Sequence, residues 1–231
     1  MNKDKMSVVV DYRINKEHIY ELERLGCRVI PTKPIEALYG AVRGHADMQI
    51  HFSGGKAVCE PTVYEYYQKM LSNTDIICGS AKLTDKYPYD IAYNTCKISK
   101  YAIANAKYTA KEILSQYNDV LNTRQGYAKC NICVVSDTAA ITSDEGIYRL
   151  LLQNGIDTLK IRGGYIELKG MSGFIGGASG LIKPNLLTFN GDINTHPDGK
   201  NIISFCKNYG VDAVSLGKDA LCDIGSILRV I

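Results

Sequence analysis

The sequence repeats one order of predicted elements five times, and this repeat limits the folds open to the chain. The order is strand, helix, strand, strand. It is clearest near the C-terminus, where the four stretches are NLLTFNGD, KNIISFCKNYG, VDAVSLG and CDIGSILRVI. The preceding segment has the same order, in the stretches AAITSD, EGIYRLLLQNG, IDTLKIRGG and GFIGGASGLI. Both helices end in Asn-Gly or Asn-x-Gly before an Ile-Asp or Val-Asp pair, so the similarity extends to particular residues.

Three further units account for the rest of the chain. The first runs from SVVVDYRI to GHADMQIHF, the second from KAVCEP to YDIAYNTCKI, and the third from YAIANAK to GYAKCNICVV, with a poorly defined strand near Val120. Units of about 45 residues are in the range of propellers and solenoids. A small sheet with one helix covers only one face, so the units must pack against one another, most simply in a ring. Residues 1–231 are therefore predicted to form a single α/β domain, a propeller of five blades with pseudo-fivefold symmetry.

A doubly wound parallel sheet is the competing architecture, since strand–helix–strand order fits it as well. The extra strand in every unit argues against that fold. The glycine-rich stretch GGYIELKGMSGFIGGASG contains neither GxGxxG nor the Walker lysine pattern, and its glycines do not open a helix. This stretch therefore predicts a hairpin rather than a phosphate-binding loop.

Composition narrows the classes of partner. The 27 basic and 24 acidic residues give a net charge of +3 without a long basic stripe, so a nucleic acid partner is not expected. The basic N-terminus carries an apolar run of only Val8–Val10, too short for a signal peptide or a membrane span.

The eight cysteines are expected to be reduced thiols of a cytoplasmic protein, most of them buried. The pair Cys130 and Cys133 lacks further ligands, so no metal site is predicted there.

Polar residues recur at the starts of the last strands of the five units. Aligning these strands places His45, Asp90, Tyr127, Phe174 and Asp223 in one column. The next column, three residues further on, contains Met48, Tyr93, Cys130, Gly177 and Ser226. If the ring forms, polar residues of these columns surround a central mouth, together with residues such as Asp11 and Glu60 that end the first strands.

The repeat order and the stretches GHADMQ, GYAKC, GFIGGASG and DIGSIL resemble the penteins, the five-bladed α/β propellers of the guanidino-group-modifying enzymes. More narrowly, these stretches resemble an uncharacterised clostridial-type family with that fold. The resemblance implies a cysteine thiolate that attacks a guanidinium carbon, a histidine in a G-H-x-D element that transfers protons, and carboxylates that hold the cation. His45 and Asp47 match that element residue for residue.

The C-terminus departs from the family pattern. The resemblance implies a nucleophilic cysteine close to the end of the chain, where DIGSILRVI offers Ser226 instead. Our catalytic hypothesis is therefore Cys130 as nucleophile, with Lys129 favouring the thiolate, His45 transferring protons and Asp47 orienting His45. Asp11, Glu60, Asp90 and Asp223 are the candidates for binding a cationic substrate. The competing interpretation is that His45 and Asp47 close a turn and that Cys130 is a core residue.

Two function classes follow from these observations. The first is a hydrolase or transferase, such as a deiminase or an amidinotransferase, which acts on a guanidino or amidine C–N bond by covalent thiol chemistry without metal or organic cofactor. Its substrate would be a small cationic guanidino-type molecule. The second is a non-catalytic pentein that serves as a binding module, resembling the ribosomal anti-association factor of archaea and eukaryotes. The missing terminal cysteine favours the second class, and GHAD with several carboxylates favours the first.

Overall fold

The computed structural model describes residues 6–231, which form five three-stranded sheets, each with a helix between its two parallel strands, and one two-stranded hairpin. The strands, numbered along the chain, are β1 (Met6–Val10), β2 (Cys27–Pro31), β3 (Ile50–Ser53), β4 (Lys56–Cys59), β5 (Asp75–Cys78), β6 (Cys96–Ile98), β7 (Tyr101–Ala104), β8 (Asp119–Asn122), β9 (Cys133–Ser136), β10 (Ala139–Thr142), β11 (Asp157–Lys160), β12 (Glu167–Leu168), β13 (Met171–Ser172), β14 (Ser179–Lys183), β15 (Leu186–Phe189), β16 (Asp212–Ser215) and β17 (Leu228–Arg229). The helices are α1 (Lys16–Arg24), α2 (Ala46–Gln49), α3 (Tyr64–Met70), α4 (Lys111–Leu114), α5 (Ala128–Asn131), α6 (Glu145–Gln153) and α7 (Gly199–Asn208).

All five sheets share one topology. In each, the first strand is antiparallel to the second, and the second is parallel to the third. The sheets are β17–β1–β2, β3–β4–β5, β6–β7–β8, β9–β10–β11 and β14–β15–β16. A helix lies in the connection between the two parallel strands, because parallel neighbours require a crossover. Separate small sheets of this kind exclude the single doubly wound sheet.

The observed element order matches the predicted order, but the sheet boundary is shifted by one strand. The last strand of each predicted unit pairs with the first strand of the next unit, as β3 does with β4, where Ile50 lies opposite Cys59. Strand β17 likewise pairs with β1, where Val9 lies opposite Leu228. Order alone does not reveal this boundary, since a repeated cycle has the same order whichever element is counted first.

Local sequence accounts for the ends of the longer helices. The side chain of Asn15 accepts a hydrogen bond from the Glu17 amide (3.1 Å) at the start of α1. Asp144 does the same for the Ile147 amide (2.8 Å) at the start of α6. Helix α6 is followed by Gly155 with φ +75°, a backbone conformation that glycine adopts without steric cost. The predicted asparagine–glycine stop is therefore a helix C-terminus.

The middle strand of each sheet is buried. Strands β1, β4, β7, β10 and β15 contribute fully buried runs such as Val8–Val10 and Ala139–Ile141. Such runs indicate strands covered on both faces, by their own helix and by the neighbouring sheet. All eight cysteines are free and six of them are buried, so they pack as small apolar residues.

The segments that lead into the first strands differ from the prediction. We call the first strands β3, β6, β9, β14 and β17 the inner strands, and the residues preceding them the approach segments. Residues Ala46–Gln49 and Ala128–Asn131 form one-turn helices there rather than the starts of strands. Tertiary hydrogen bonds stabilise these turns: the Asp47 amide donates to Gly225 O (3.0 Å), and the Lys129 amide donates to Asn94 Oδ1 (2.8 Å). The prediction that these residues begin strands is therefore wrong.

No helix within residues 6–231 combines the length and the apolar character needed to cross a membrane. The basic start of the N-terminus, residues 1–5, lies outside the described residues.

Candidate active site

The approach segments of all five sheets meet around one cavity of about 340 Å³, which we call the approach cavity. The complete column predicted from the repeat lines it: His45, Asp90, Tyr127, Phe174 and Asp223. Cys130 lines it as well, from the next column. Side chains more than 170 residues apart in the sequence therefore share one site, because equivalent positions of the repeat converge there.

Cys130 is buried and hydrogen-bonded through its sulfur. The thiol donates to Asp47 Oδ2 (3.2 Å), and Asn94 Nδ2 donates to the sulfur (3.1 Å). Burial raises the pKa of Cys130 well above its ordinary value, and the negative charges of Asp47 and Asp223 raise it further. The resting side chain is therefore a protonated thiol, and its nearest proton acceptor is Asp47.

Lys129 does not have the role predicted for it. Its ammonium group donates to Ser226 Oγ (3.0 Å) instead of approaching the sulfur of Cys130. Ser226 in turn donates to Asp47 Oδ2 (2.6 Å), the oxygen that also accepts the thiol hydrogen. Lys129 therefore acts on the carboxylate through Ser226, and the prediction that Lys129 favours the thiolate directly is wrong.

His45 is buried at the wall of the approach cavity. Among the described residues, neither ring nitrogen has a hydrogen-bond partner. The closest carboxylate oxygen is Asp223 Oδ1, 3.8 Å from His45 Nδ1. Asp223 is fixed by the amides of Phe174 and Gly225, each at 2.9 Å, and burial raises its pKa. Asp223, rather than the predicted Asp47, is thus the carboxylate that faces the histidine.

Asp90 adds a carboxylate flanked by aromatic rings. Its Oδ2 accepts a hydrogen bond from Tyr127 (2.5 Å), its Oδ1 has no partner among the described residues, and burial raises its pKa. The Tyr127 ring stacks against Phe174, with ring centroids 6.3 Å apart. Aromatic faces beside a carboxylate are suited to a planar organic cation.

Asp11 and Glu60, the other two predicted substrate carboxylates, do not line the approach cavity. Asp11 is paired with Arg13, whose Nε donates to it at 2.9 Å. Glu60 accepts from the Thr62 amide (2.6 Å) at the start of a short 3₁₀ helix and lines a separate cavity beside Lys33. The structure thus brings together His45, Asp47, Cys130, Asp90 and Asp223, and leaves these two apart.

Two further polar residues hold the site together: Ser226, which the repeat placed in the second column, and Asn94, which was not predicted. Asn94 donates to the Cys130 sulfur and accepts from the Lys129 amide, and Ser226 joins Lys129 to Asp47. A signal for Asn94 was present in the repeat. Amides occur four residues after three members of the column, at Gln49, Asn94 and Asn131, and all three are buried.

The site also has the composition of a metal centre. His45, Asp47 and Cys130 each offer one ligand atom, and these atoms lie within 4.8 Å of one another. Imidazole nitrogen, carboxylate oxygen and thiolate are the ligands that zinc prefers. These three residues are the ones that could hold a metal ion, and Cys133 of the CNIC pair is not one of them.

Gly225 controls the position of His45. Its φ is +69°, and a Cβ built on it would lie 2.2 Å from His45 Cβ. We expect Gly225→Ala to lower the free energy of unfolding by more than the ~1 kcal/mol that the left-handed conformation alone costs a residue with a Cβ. Urea denaturation followed by circular dichroism measures this change.

Gly54→Ala is the matched control for that substitution. Gly54 also has a positive φ (+57°), but nothing lies within 4 Å of a Cβ built there. The difference between the two variants isolates the contact with His45. Equal losses of stability in both would show that this contact contributes nothing.

Solved structures of known proteins resemble this fold. The dimethylarginine dimethylaminohydrolase of Pseudomonas aeruginosa, solved with citrulline, matches with a TM-score of 0.58 and 9% identity, over 96% of this chain and 98% of that one. The inosamine-phosphate amidinotransferase of Streptomyces griseus matches with a TM-score of 0.57 and 12% identity, over 92% and 77%. An amidinotransferase of saxitoxin biosynthesis from Microseira wollei matches with a TM-score of 0.54 and 11% identity, over 90% and 78%. These neighbours are all penteins, so the predicted resemblance to the pentein fold is confirmed.

Comparison at the level of sequence gives a family without an assigned activity. No curated protein matches the chain significantly. A family model matches residues 9–228, and the chain therefore belongs to the Family of unknown function (DUF6873).

Proposed function

We propose that this protein is an enzyme that breaks a C–N bond of a guanidino or amidine group, with Cys130 as its nucleophile. The observation that carries the proposal is the convergence of Cys130, His45, Asp90 and Asp223 on one cavity, with Asp47 directly behind the thiol. The neighbouring structures include amidinotransferases and a dimethylarginine dimethylaminohydrolase, which supports a guanidino-modifying hydrolase or transferase. We further infer that the five sheets are the blades of one ring and that the approach cavity lies on its axis.

The free acceptor atoms of the site match a cation. Asp47 Oδ1 and Asp90 Oδ1 are buried without a partner among the described residues, and Asp223 adds a third carboxylate. A guanidinium group carries its donors in one plane and binds carboxylates through paired hydrogen bonds. Substrate binding in the approach cavity would therefore satisfy Asp90 Oδ1, which the free protein leaves unpaired, and bring the cation near the negative charge of Asp47 behind the thiol.

The bound cation also removes the obstacle to thiolate formation. The same buried negative charges that raise the pKa of Cys130 are neutralised when a guanidinium enters, so the pKa of the thiol falls on binding. The thiol proton has an acceptor at 3.2 Å in Asp47 Oδ2. A reactive thiolate then forms only next to substrate.

The reaction that follows balances without a cofactor. The sulfur of Cys130 forms a bond to the guanidinium carbon, the C–N bond to the leaving amine breaks, and the thiol proton ends on that amine. Asp47 accepts this proton from the thiol and passes it to His45, whose ring nitrogen lies within 4.8 Å of the Asp47 carboxylate, and His45 delivers it to the amine. In a hydrolase, water then attacks the carbon of the thiouronium intermediate, the sulfur regains a proton, a ureido product leaves and His45 passes the second proton of the water to solvent. In a transferase an amine replaces the water.

A product assay tests the proposal. The protein is incubated with arginine, agmatine and methylated arginines, alone and with an amine acceptor, and mass spectrometry follows ureido or transferred-amidino products. We expect turnover of at least one cation and none of the uncharged ureido analogues. A protein that binds these cations without converting any of them would instead fit the non-catalytic binding module.

Asp90→Asn tests the assignment of the substrate carboxylates. Losing a charge-assisted hydrogen bond to the cation is expected to raise KM by about tenfold or more, with a smaller effect on kcat. Glu60→Gln is the control, because Glu60 is equally buried but lines another cavity. A change of KM in Glu60→Gln as large as that in Asp90→Asn would contradict the assignment.

We also place the protein in a reducing compartment such as the cytoplasm, on the ground that none of its eight cysteines is paired.

A further inference from the structure

A second cavity of about 260 Å³ lies along the inner strands. We call it the inner-strand cavity. One residue from each of the five sheets shows its position: Phe52 of β3, Lys97 of β6, Val134 of β9, Leu181 of β14 and Arg229 of β17. The approach cavity is formed by the residues that precede these strands, and the two cavities share no lining residue. The Cys130–Asp47–Ser226–Lys129 hydrogen bonds lie between them, with Cys130 lining one cavity and Asp47 and Lys129 the other.

The inner-strand cavity is lined by cations without a carboxylate partner. Within residues 6–231, none of Lys97, Lys129 and Arg229 forms an ion pair. The lining also contains two acidic side chains: Asp47, which accepts hydrogen bonds from Ser226 and Cys130, and Asp137, which lies exposed. Cations that form no direct ion pair in a concave, partly buried site attract anions.

The pKa of His51 indicates positive charge in the wall of the same cavity. Its ring is buried, with one nitrogen bonded to Thr95 O (3.0 Å) and the other to the Tyr117 hydroxyl (2.7 Å). Burial and, to a smaller extent, the charges of Lys97 and Lys129 lower the pKa of His51 to about 4. Both lysines are therefore close enough to act on one point in the wall of the cavity.

Unpartnered hydrogen-bond donors in the wall point to a ligand. The hydroxyl of Thr95, a residue that is only 2% exposed, has no hydrogen-bond partner among the described residues, and neither does the buried Nε of Arg229. Leaving such buried groups unsatisfied is energetically unfavourable. Thr95 and Arg229 line the same cavity as Lys97 and Lys129, so these four residues together offer a donor set for oxygen atoms of a negatively charged ligand.

We propose that the inner-strand cavity binds a small oxyanion, a phosphate or a carboxylate, through Arg229, Lys97, Lys129 and the Thr95 hydroxyl. The site does not depend on the thiol chemistry of the approach cavity. It is connected to that chemistry through Lys129, which also donates to Ser226, the residue that donates to the carboxylate accepting the Cys130 hydrogen.

Calorimetric titration tests the proposal. Inorganic phosphate and, separately, acetate are titrated into the full chain at constant ionic strength set with chloride. We expect one saturable site for at least one of the two anions, and the preferred anion distinguishes a tetrahedral from a planar ligand. Arg229→Met and Lys97→Met should each weaken binding by about tenfold or more, and Thr95→Val by a few-fold.

Lys200→Met is the matched control, because it removes one exposed positive charge from α7. It should bind the anion as the native protein does. Cys130→Ala should also bind it, which separates this site from the proposed catalysis. Absence of saturable binding of both anions, or equal affinity in Arg229→Met, Lys97→Met and Lys200→Met with circular dichroism unchanged, would overturn the proposal.

Discussion

Replacement of Cys130 by alanine is expected to abolish C–N bond cleavage, with kcat reduced by about 10⁴-fold or more. The sulfur is the only nucleophile that we assign to the approach cavity, so no side chain is left to form the bond to carbon. Binding of the cationic substrate should persist, because Asp90 and Asp223 remain in place. Turnover is measured by product formation and binding by calorimetry.

Cys133→Ala is the control for this experiment. Cys133 is as buried as Cys130 and lies three residues further on, but it packs in a core cluster and does not line the approach cavity. It should lose stability, by about 1–2 kcal/mol, and keep its turnover number. Equal losses of activity in both variants would point to a general effect of core damage and contradict the assignment of Cys130.

Asp47→Asn is expected to have two opposite effects on the same sulfur. Removing the negative charge lowers the pKa of Cys130, so that the thiolate forms at lower pH and iodoacetamide labels Cys130 of the free protein faster near neutral pH. Each unit of the shift changes the thiolate fraction about tenfold below the pKa. Turnover should nevertheless fall by about 10²-fold or more, because the proton acceptor of the thiol and a carboxylate for the cation are both lost.

The pH dependence of iodoacetamide labelling shows in which direction the pKa of Cys130 moves. In the native protein the labelling rate of Cys130 should rise only at high pH, and in Asp47→Asn the rise should move to lower pH. Asp11→Asn is the control, since Asp11 is equally buried but paired with Arg13. An unchanged or upward-shifted profile in Asp47→Asn would show that Asp47 does not act on the thiol.

Much of the fold was predictable because the repeat reflects burial. Each unit must cover its sheet with one helix, so apolar spacing and asparagine–glycine stops recur and reveal the element order. The pairing of β17 with β1 was not predictable, because a repeated cycle does not mark its own boundary. The one-turn helices at His45 and Cys130 were also missed, since tertiary partners such as Asn94 and Gly225 hold them rather than local propensity.

The candidate site was likewise predictable from the sequence only in part. Aligning the repeat was enough to select the column that lines the approach cavity, from His45 to Asp223, because equivalent positions converge in a symmetric fold. It was not enough to give the direction of long side chains. Lys129 is adjacent to Cys130 in sequence, yet its ammonium reaches Ser226, and the carboxylate beside the thiol comes from a different sheet. Such contacts depend on packing across the sheets.

The measurement that tests the account most directly is the capture of a covalent intermediate. The protein is mixed with a guanidino substrate, quenched in acid within the first turnovers and digested, and mass spectrometry locates the amidino adduct. We predict an adduct on Cys130, absent from Cys130→Ala and unaffected by a metal chelator. Turnover without an adduct on Cys130, or turnover that a chelator abolishes through the His45–Asp47–Cys130 cluster, would contradict thiol catalysis.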